Sequence, residues 1–232
     1  MTDYLVFTLS ATIGAMGDLA GHERRGTLLW PGKSAITGLL GAALGIRRDG
    51  DFSELDRLGM AVAGFASDAG NYEADFRDYH TVETVPSAKA KKPNSRPEAL
   101  RTAGRETNTT ITLRDYRTGP LFGVALWGDD LAKLERALLA PVFTLYFGRK
   151  SCPLSAPVCP RIVVAEAPEE ALAMIQIPFW RGPCTARRLV TDAEGADTHV
   201  ETRHDRALDR NLWHFAPRRV AFRTVEIKAG GE

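Results

Sequence analysis

The sequence contains few cysteines, and their odd number and spacing argue against a disulfide framework and a zinc site. The three cysteines among 232 residues are Cys152, Cys159 and Cys184. None lies in a CxxC pair or beside a histidine at the spacing of metal ligands. We therefore expect reduced, buried thiols, no metal and no other cofactor.

Net charge and long apolar runs are also lacking. The formal net charge is +1, from 30 Lys and Arg against 29 Asp and Glu, so any nucleic-acid binding must come from a local patch rather than from the whole surface. No apolar run approaches the ~18 residues that a membrane helix needs, and the first residues, MTDYLVFTLS, lack the basic and apolar regions of a secretory signal. We expect a cytoplasmic protein without a membrane partner.

Regular apolar spacing predicts a mixed α+β domain. Residues 4–9 form a nearly continuous β-rich run, as in a strand buried on both faces, and residues 33–44 place apolar side chains on one face of a helix between Gly32 and Gly45. Further strands are predicted at 61–67, 121–127 and 161–165, and further helices at 53–60 and 129–139. This order predicts the split βαβ arrangement of ferredoxin-like, or RNA-recognition-motif-like, α+β proteins.

The last third of the chain predicts a small β-rich region. A short helix begins at Pro168, residues 187–203 predict a hairpin that turns at 193–197, and residues 218–227 predict a final strand. We expect residues 1–157 to form the ferredoxin-like domain and residues 158–232 to form a C-terminal appendage.

Residues 86–105 differ sharply from the rest in composition. They contain one acid, Glu98, and the cations Lys89, Lys91, Lys92, Arg96, Arg101 and Arg105. The β-prone residues 79–85 and 107–113 flank them, which predicts a long thumb hairpin at about 79–113 with a basic tip. A disordered, merely solvated loop is the alternative that composition leaves open.

A Gly32-Lys33-Ser34 triplet at the predicted helix start resembles the end of a nucleotide-binding P-loop. That motif needs a glycine five residues before Gly32, and Thr27 stands there, so ATP binding is rejected. A lysine, a hydroxyl and free backbone N–H groups at a helix start still form an anion site, and we expect Lys33 and Ser34 to hold an RNA phosphate. A simple helix start with a solvated lysine is the alternative.

A second constellation lies in the stretch YFGRKSCPL, which starts at Tyr146. Two aromatics, two cations and a hydroxyl are the groups that stack unpaired bases and hold their phosphates. We expect Arg149, Lys150 and Ser151 on phosphates and Tyr146 as a candidate stacker, with one of the two aromatics in the core. Both constellations are expected to face one groove.

No catalytic motif is recognisable. The five histidines are scattered, and no nucleophile elbow or two-metal carboxylate cluster occurs. Tyr79, His80 and a thumb lysine could together form a metal-independent ribonuclease, which stays open as an alternative. A histidine that contacts RNA or solvent is the favoured interpretation of His80.

Four stretches together resemble the CasD family, the fifth Cas protein of type I-E CRISPR systems. They are PGKSAITGLLGAALGI at 31–46, RDYHTV at 77–82, the segment from Arg114-Asp115-Tyr116 to Trp127, and the stretch from Leu145 around GRKSCPL. Their order and spacing match the family from near the start to about Pro157. Family members commonly carry a Gln and a Trp in the loop where this chain has residues 12–17.

The resemblance implies a non-catalytic RNA-binding subunit of the Cascade complex in antiviral defence. Such a subunit caps the 5′ handle of the guide RNA (crRNA), packs against the backbone subunit and helps to seat the large subunit for recognition of target DNA. A different subunit cuts the guide in this branch, whereas type I-C relatives cleave it themselves. The predicted RNA-binding residues are Arg24, Arg25, Lys33, Ser34, Tyr79, His80, Lys89, Lys91, Lys92, Arg105, Thr107, Tyr146, Arg149, Lys150 and Ser151.

Overall fold

The computed structural model describes residues 1–17, 23–67, 74–85, 95–192, 199–210, 212 and 214–229. Its strands are β1 (Thr2–Ser10), β2 (Ile13–Gly14), β3 (Arg24–Arg25), β4 (Gly59–Ser67), β5 (Ala74–Thr84), β6 (Asn108–Thr118), β7 (Leu121–Trp127), β8 (Arg161–Ala165), β9 (Cys184–Thr191), β10 (His199–Asp209) and β11 (His214–Ala229). Its helices are α1 (Lys33–Leu44), α2 (Ser53–Asp56), α3 (Arg96–Ala103), α4 (Leu131–Leu139) and α5 (Pro168–Ala173), with a 3₁₀ helix at Phe179–Arg181. The protein is therefore a mixed α+β structure.

A seven-stranded antiparallel sheet, in the order β10-β11-β9-β4-β7-β1-β8, forms the centre of the molecule. Strand β1 is buried on both faces, as its apolar run predicts. Leu5 and Phe7 point into a core shared with Leu40 of α1, whereas Val6 points into a second core that contains Leu172 of α5. This alternation follows from the period of two in a strand, so helices cover both faces of the sheet.

The helices α1 and α4 lie on one face of this sheet. Both contribute apolar side chains, such as Ile36 and Leu138, to the first core. The elements β1, α1, β4, β7, α4 and β8 follow one another in the order strand, helix, strand, strand, helix, strand. Their strands are neighbours in the sheet in the order β4-β7-β1-β8, so each helix connects two strands that have a third strand between them.

The C-terminal strands extend the same sheet. Strand β9 pairs with β4, and β8 pairs with β1, so the sheet crosses the predicted boundary between residues 157 and 158. The predicted hairpin over 187–203 is wrong, because β11 lies between β9 and β10 and pairs with both. Strands β8 and β9 therefore pair with sequence-distant strands and β10 pairs with β11, the next strand in the chain, while the predicted turn at 193–197 lies outside the described residues.

The thumb consists here of β5, α3 and β6. Strands β5 and β6 pair from Ala74 opposite Thr118 to Thr84 opposite Asn108, so the predicted hairpin forms and is longer than expected. Helix α3 was not predicted, although Ser95 accepts a hydrogen bond from the backbone N–H of Glu98 at its start. A serine followed three residues later by a glutamate is a common helix-start signal.

Cysteine burial follows the expectation only in part. Cys152 and Cys184 are buried free thiols, whereas Cys159 is half-buried. The described residues contain no group of three or more His, Cys, Asp or Glu that could hold a metal ion. In the same part of the chain no helix is long and apolar enough to cross a membrane.

Candidate nucleic-acid interface

The sheet has two ends, and the predicted binding residues divide between them. At one end of the sheet β1 stops at Ser10 and β7 starts at Leu121. Strand β4 also stops at this end, and the thumb connects the end of β4 to the start of β7. We therefore call it the thumb end. At the opposite end β4 starts at Gly59 and β7 stops at Trp127. The two short strands β2 and β3 pair with β6, so the loop after β1 also lies at the thumb end.

Two arginines at the base of the thumb share one carboxylate. Arg24 of β3 donates from Nε and Nη2 to Oδ2 of Asp115, at 3.0 and 2.8 Å. Arg77 of β5 donates from Nε to Oδ1 of Asp115 at 2.6 Å. The bonds from Arg77 and Arg24 keep the pKa of the Asp115 carboxyl below its usual range. Both guanidinium groups keep exposed surface, at 60% and 41% of their side chains, and can still bind an anion.

Strand register creates this arrangement. The triplet Arg-Asp-Tyr occurs twice, at 77–79 on β5 and at 114–116 on β6. In the antiparallel pairing Arg77 lies opposite Asp115 and Asp78 lies opposite Arg114. Opposite charges that face each other across two strands stabilise the pair, so the repeated triplet favours this register.

Arg149 connects the stretch GRKSCPL to the thumb. Its Nη1 donates to the carbonyl oxygen of Asp115 at 3.3 Å, and its Nη2 donates to that of Arg25 at 3.0 Å. Its guanidinium also lies 4.5 Å from the centre of the Tyr116 ring, a cation–π geometry. These contacts use the planar fork of an arginine and fix residues 147–152, which we call the GRK loop, against β3 and β6.

Glycines let the GRK loop pack against the loop after β1. Gly148 has a φ of +84°, and a Cβ atom there would lie 1.5 Å from the carbonyl oxygen of Ala15. The N–H of Ala15 donates to the carbonyl of Phe147 at 3.1 Å. A Cβ at Gly14 would touch the Phe147 ring at 3.0 Å. The close packing of these two loops therefore requires glycine at position 148.

The other side chains of the stretch YFGRKSCPL, which starts at Tyr146, divide between core and surface, as the sequence predicts. Phe147 is buried and packs edge-on against Phe122, whereas Tyr146 is partly exposed. Lys150 and Ser151 are exposed. Within the described part of the chain, Lys150 is thus the cation of this loop that can reach a ligand without breaking a contact, while Arg149 is half-buried and already bonded to two carbonyl oxygens.

Lys33 lies inside the protein rather than on its surface. Its side chain is 6% exposed, its Nζ donates to the carbonyl of Leu58, and Asp192 Oδ2 lies 3.5 Å away. The backbone N–H of Lys33 donates to Oδ2 of Asp205 at 2.9 Å. Burial, with a smaller effect from Arg218, lowers the pKa of Lys33 to about 8. The helix start that was expected to bind phosphate therefore binds protein carboxylates, and Ser34 beside it is half-buried.

The two constellations do not share a groove. Leu58, which Lys33 contacts, immediately precedes β4, whereas Leu154 of the GRK stretch forms a bridge with Ala11 just beyond β1. The strand register puts these two positions at opposite ends of the sheet, about 26 Å apart along the strands at the usual rise per residue. The expectation of a single groove is wrong, because α1 starts at the end away from the thumb.

The thumb carries the other predicted residues. Tyr79 and His80 are exposed, but neighbouring strand residues point to opposite faces, so their side chains do not converge on one site. Arg105 is exposed and Thr107 is half-buried near the start of β6. The predicted residues Lys89, Lys91 and Lys92 lie outside the described residues.

Sequence reasoning missed Arg77, Asp115 and Tyr116 as site residues. The repeated Arg-Asp-Tyr triplet in two flanking β-prone stretches is the signal that could have found them, because it matches charges across a hairpin. The sequence also did not single out Phe179 and Trp180, which are exposed.

Known proteins resemble this chain along most of its length. Residues 4–221 match the family model for CRISPR-associated protein (Cas_Cas5). The CRISPR system Cascade subunit CasD of Escherichia coli (strain K12) is 35% identical over 186 residues, which cover 74% of this chain and 76% of that protein. The predicted resemblance to CasD is thereby confirmed.

Two solved structures share the fold. A chain of a CRISPR RNA-guided surveillance complex superposes with a TM-score of 0.69 at 21% identity, over 97% of this chain and 91% of that one. A crystal structure of a Cas protein gives a TM-score of 0.61 at 25% identity, over 97% and 95% of the two chains. From the family match over nearly its whole length, this chain belongs to the CRISPR-associated Cas5 family.

Proposed function

We propose that this protein is a non-catalytic, RNA-binding subunit of a CRISPR Cascade complex that holds the 5′ handle of the guide RNA. The observation that carries the proposal is the set of exposed cations Arg24, Arg25, Arg77 and Lys150 at the thumb end. Such a local patch binds phosphates in a chain whose net charge is only +1.

The same surface offers groups for unpaired bases. Tyr79 and Tyr146 are exposed aromatics, at 69% and 37%, on the thumb and at its base. Rings beside cations are the usual means of gripping single-stranded RNA. Lys89, Lys91, Lys92 and Arg105 of the thumb extend the proposed contact along the backbone, as the basic composition of residues 86–105 suggests.

We also propose a ferredoxin-like architecture and a set of partners for this subunit. The strand order β4-β7-β1-β8, with α1 and α4 as crossovers, supports a ferredoxin-like body that runs past the predicted boundary at 157 to include β8, and strands β9, β10 and β11 add a β-rich region to it. The partners are the backbone and large subunits and, within the assembled complex, the target DNA in the cytoplasm. Base pairing reads the target, while this subunit holds shape and backbone.

A structural role is favoured over ribonuclease catalysis. An acid and a base for RNA cleavage must reach one scissile phosphate, yet Tyr79 and His80 project from opposite faces of β5. The proposed role of His80 is therefore an RNA contact on the thumb.

Purification of the protein together with its partners, followed by sequencing of bound RNA, tests the proposal. We expect guide RNA whose 5′ handle is protected, and we expect labelled repeat RNA to stay intact when incubated with the isolated protein in EDTA. Recovery of no guide RNA contradicts the binding role. Specific cleavage that disappears in His80→Ala contradicts the non-catalytic role.

A further inference from the structure

An exposed aromatic pair lies on the 3₁₀ helix Phe179–Arg181. Phe179 is 90% exposed and Trp180 is 52% exposed. Their ring centres are 5.0 Å apart at an interplanar angle of 86°. In an edge-to-face pair, the ring that points its edge at its neighbour uses neither of its own faces in the contact. The pair therefore presents an aromatic face to a ligand.

The segment that carries the pair is fixed to the sheet at two points. The Thr8 hydroxyl on β1 donates to the carbonyl of Gln176 at 2.8 Å. Nη2 of Arg181 donates to the carbonyl of Gly119 at 2.8 Å. The 3₁₀ helix follows Pro178 and ends at Gly182, whose φ of +62° suits a glycine. The rings are therefore held out by a braced turn.

The pair stands at the thumb end of the sheet. Gly119, which Arg181 contacts, lies between the end of β6 and the start of β7, so the rings are next to the base of the thumb. The segment crosses the sheet on the face that α5 covers, because Ile175 belongs to the same core as Leu172. The GRK loop packs on the other face, with Phe147 in the first core.

We propose that Phe179 and Trp180 stack an unpaired base of the RNA that is bound at the thumb end. This inference rests on the proposed function and adds a site on the second flank of the thumb. Two rings next to arginine-bearing segments suit a nucleotide, whose base needs one apolar surface and whose phosphate needs charge. Arg181 itself is engaged with the Gly119 carbonyl, and Arg117 is 15% exposed and paired with Asp75, so the phosphate is assigned to the exposed cations at the base of the thumb.

A protein partner is the competing occupant. Stable protein interfaces bury on the order of 800 Å² on each partner around a broad apolar centre, and this braced turn offers mainly two rings. The bond from Arg181 to Gly119 places the rings beside the base of the thumb, and this position favours RNA as the occupant.

The test measures the affinity of the full chain for an oligouridine RNA that carries 5-iodouridine, and maps the photocrosslinks between the two. In the double variant Phe179→Leu and Trp180→Leu, apolar bulk remains but stacking is lost, and we expect binding to weaken by about 5-fold to 150-fold. Trp180→Phe keeps an aromatic face and is expected to retain most of the affinity. Phe143→Leu, at an exposed aromatic elsewhere, serves as the matched control and is expected to leave affinity unchanged.

The outcomes separate this site from the proposed function. Crosslinks in the peptide that contains Trp180, together with weaker binding by the double variant, support the stacking site. If the double variant keeps its affinity while loss of the Arg25 and Lys150 charges weakens binding, the stacking site is overturned and the proposed function stands. A wild-type protein that binds no RNA overturns both. Loss of a co-purified protein with unchanged RNA crosslinks assigns the rings to a protein contact and overturns the stacking site.

Discussion

Single arginines at the base of the thumb are oriented by protein oxygens before any ligand arrives. Asp115 accepts from Arg24 and Arg77, so both guanidinium groups are held with their remaining N–H groups toward solvent. Such preorganisation lowers the entropy lost when a phosphate binds. Arg149 differs, because two carbonyl oxygens and the Tyr116 ring occupy it. We propose that it positions Lys150, and its predicted role as a phosphate ligand stays a prediction.

Substitution of Gly148 tests whether the GRK loop packs closely against the loop after β1. Gly148→Ala combines a φ of +84° with a Cβ that would overlap the Ala15 carbonyl, and we expect the free energy of unfolding to fall by at least ~3 kcal/mol. Gly104→Ala is the matched control, because its φ is +59° and no atom lies within 4 Å of the added Cβ. The ψ of Gly104 is −115°, outside the left-handed helical region, so only backbone strain of ~1–3 kcal/mol, without a steric overlap, is expected there. Urea denaturation measures both, and equal losses would disprove the steric role of position 148.

Among the elements, the hairpin of β10 and β11 is joined to α1 by buried charges. Asp205 of β10 accepts from the backbone N–H at the start of α1 and from Arg218 of β11, whose Nη2 lies 2.7 Å from it. Arg218 also donates to Asp192. Removal of one partner from a buried pair typically costs ~3–5 kcal/mol, so this network ties the C-terminal strands to the N-terminal helix.

The buried lysine makes stability depend on pH. The pKa of Lys33 is about 8 in the folded chain, whereas an unfolded lysine titrates near ~10.4. Between these values the unfolded chain binds more protons, so the free energy of unfolding rises with pH. We expect the stability of the wild type relative to Lys33→Met to increase by ~2 kcal/mol from pH 8 to pH 10.

Urea denaturation of the two proteins across this pH range measures the difference. Groups other than Lys33 titrate in both proteins and cancel when the two curves are subtracted. A stability difference that stays constant from pH 8 to pH 10 would show that burial does not lower the pKa of Lys33.

At the scale of the whole molecule, the buried charge network and the proposed RNA contact lie at opposite ends of the sheet. The end away from the thumb contains the charge network around Lys33, where cations meet protein carboxylates. The thumb end gathers exposed cations and aromatics from β3, the thumb, the GRK loop and the Phe179 turn. The proposed RNA contact thus depends on strand direction as much as on residue type.

Local sequence patterns predicted the helices and strands better than they predicted the contacts between distant residues. The apolar periodicity of α1, its flanking glycines and the run of β7 define their bounds, because these signals lie within a few residues of each other. The role of Lys33 was not predictable in this way, since its partners Asp192 and Asp205 are 159 and 172 residues away. Helix α3 was missed because basic composition was given more weight than the Ser95 and Glu98 start signal. Pairing of β9 with β4 and β11 likewise depends on distant strands.

The most direct test compares charge removal at the two ends of the sheet. The double variant Arg25→Gln and Lys150→Gln acts at the thumb end, and Arg57→Gln with Lys133→Gln removes two exposed cations at the opposite end. Affinity for a single-stranded RNA is measured over a salt series for both. We expect the thumb-end variant to bind more weakly and its log–log salt slope to fall by ~1.4, or ~0.7 per lost phosphate contact, while the opposite-end variant matches the wild type. Equal weakening by both variants, or by neither, would contradict binding at the thumb end.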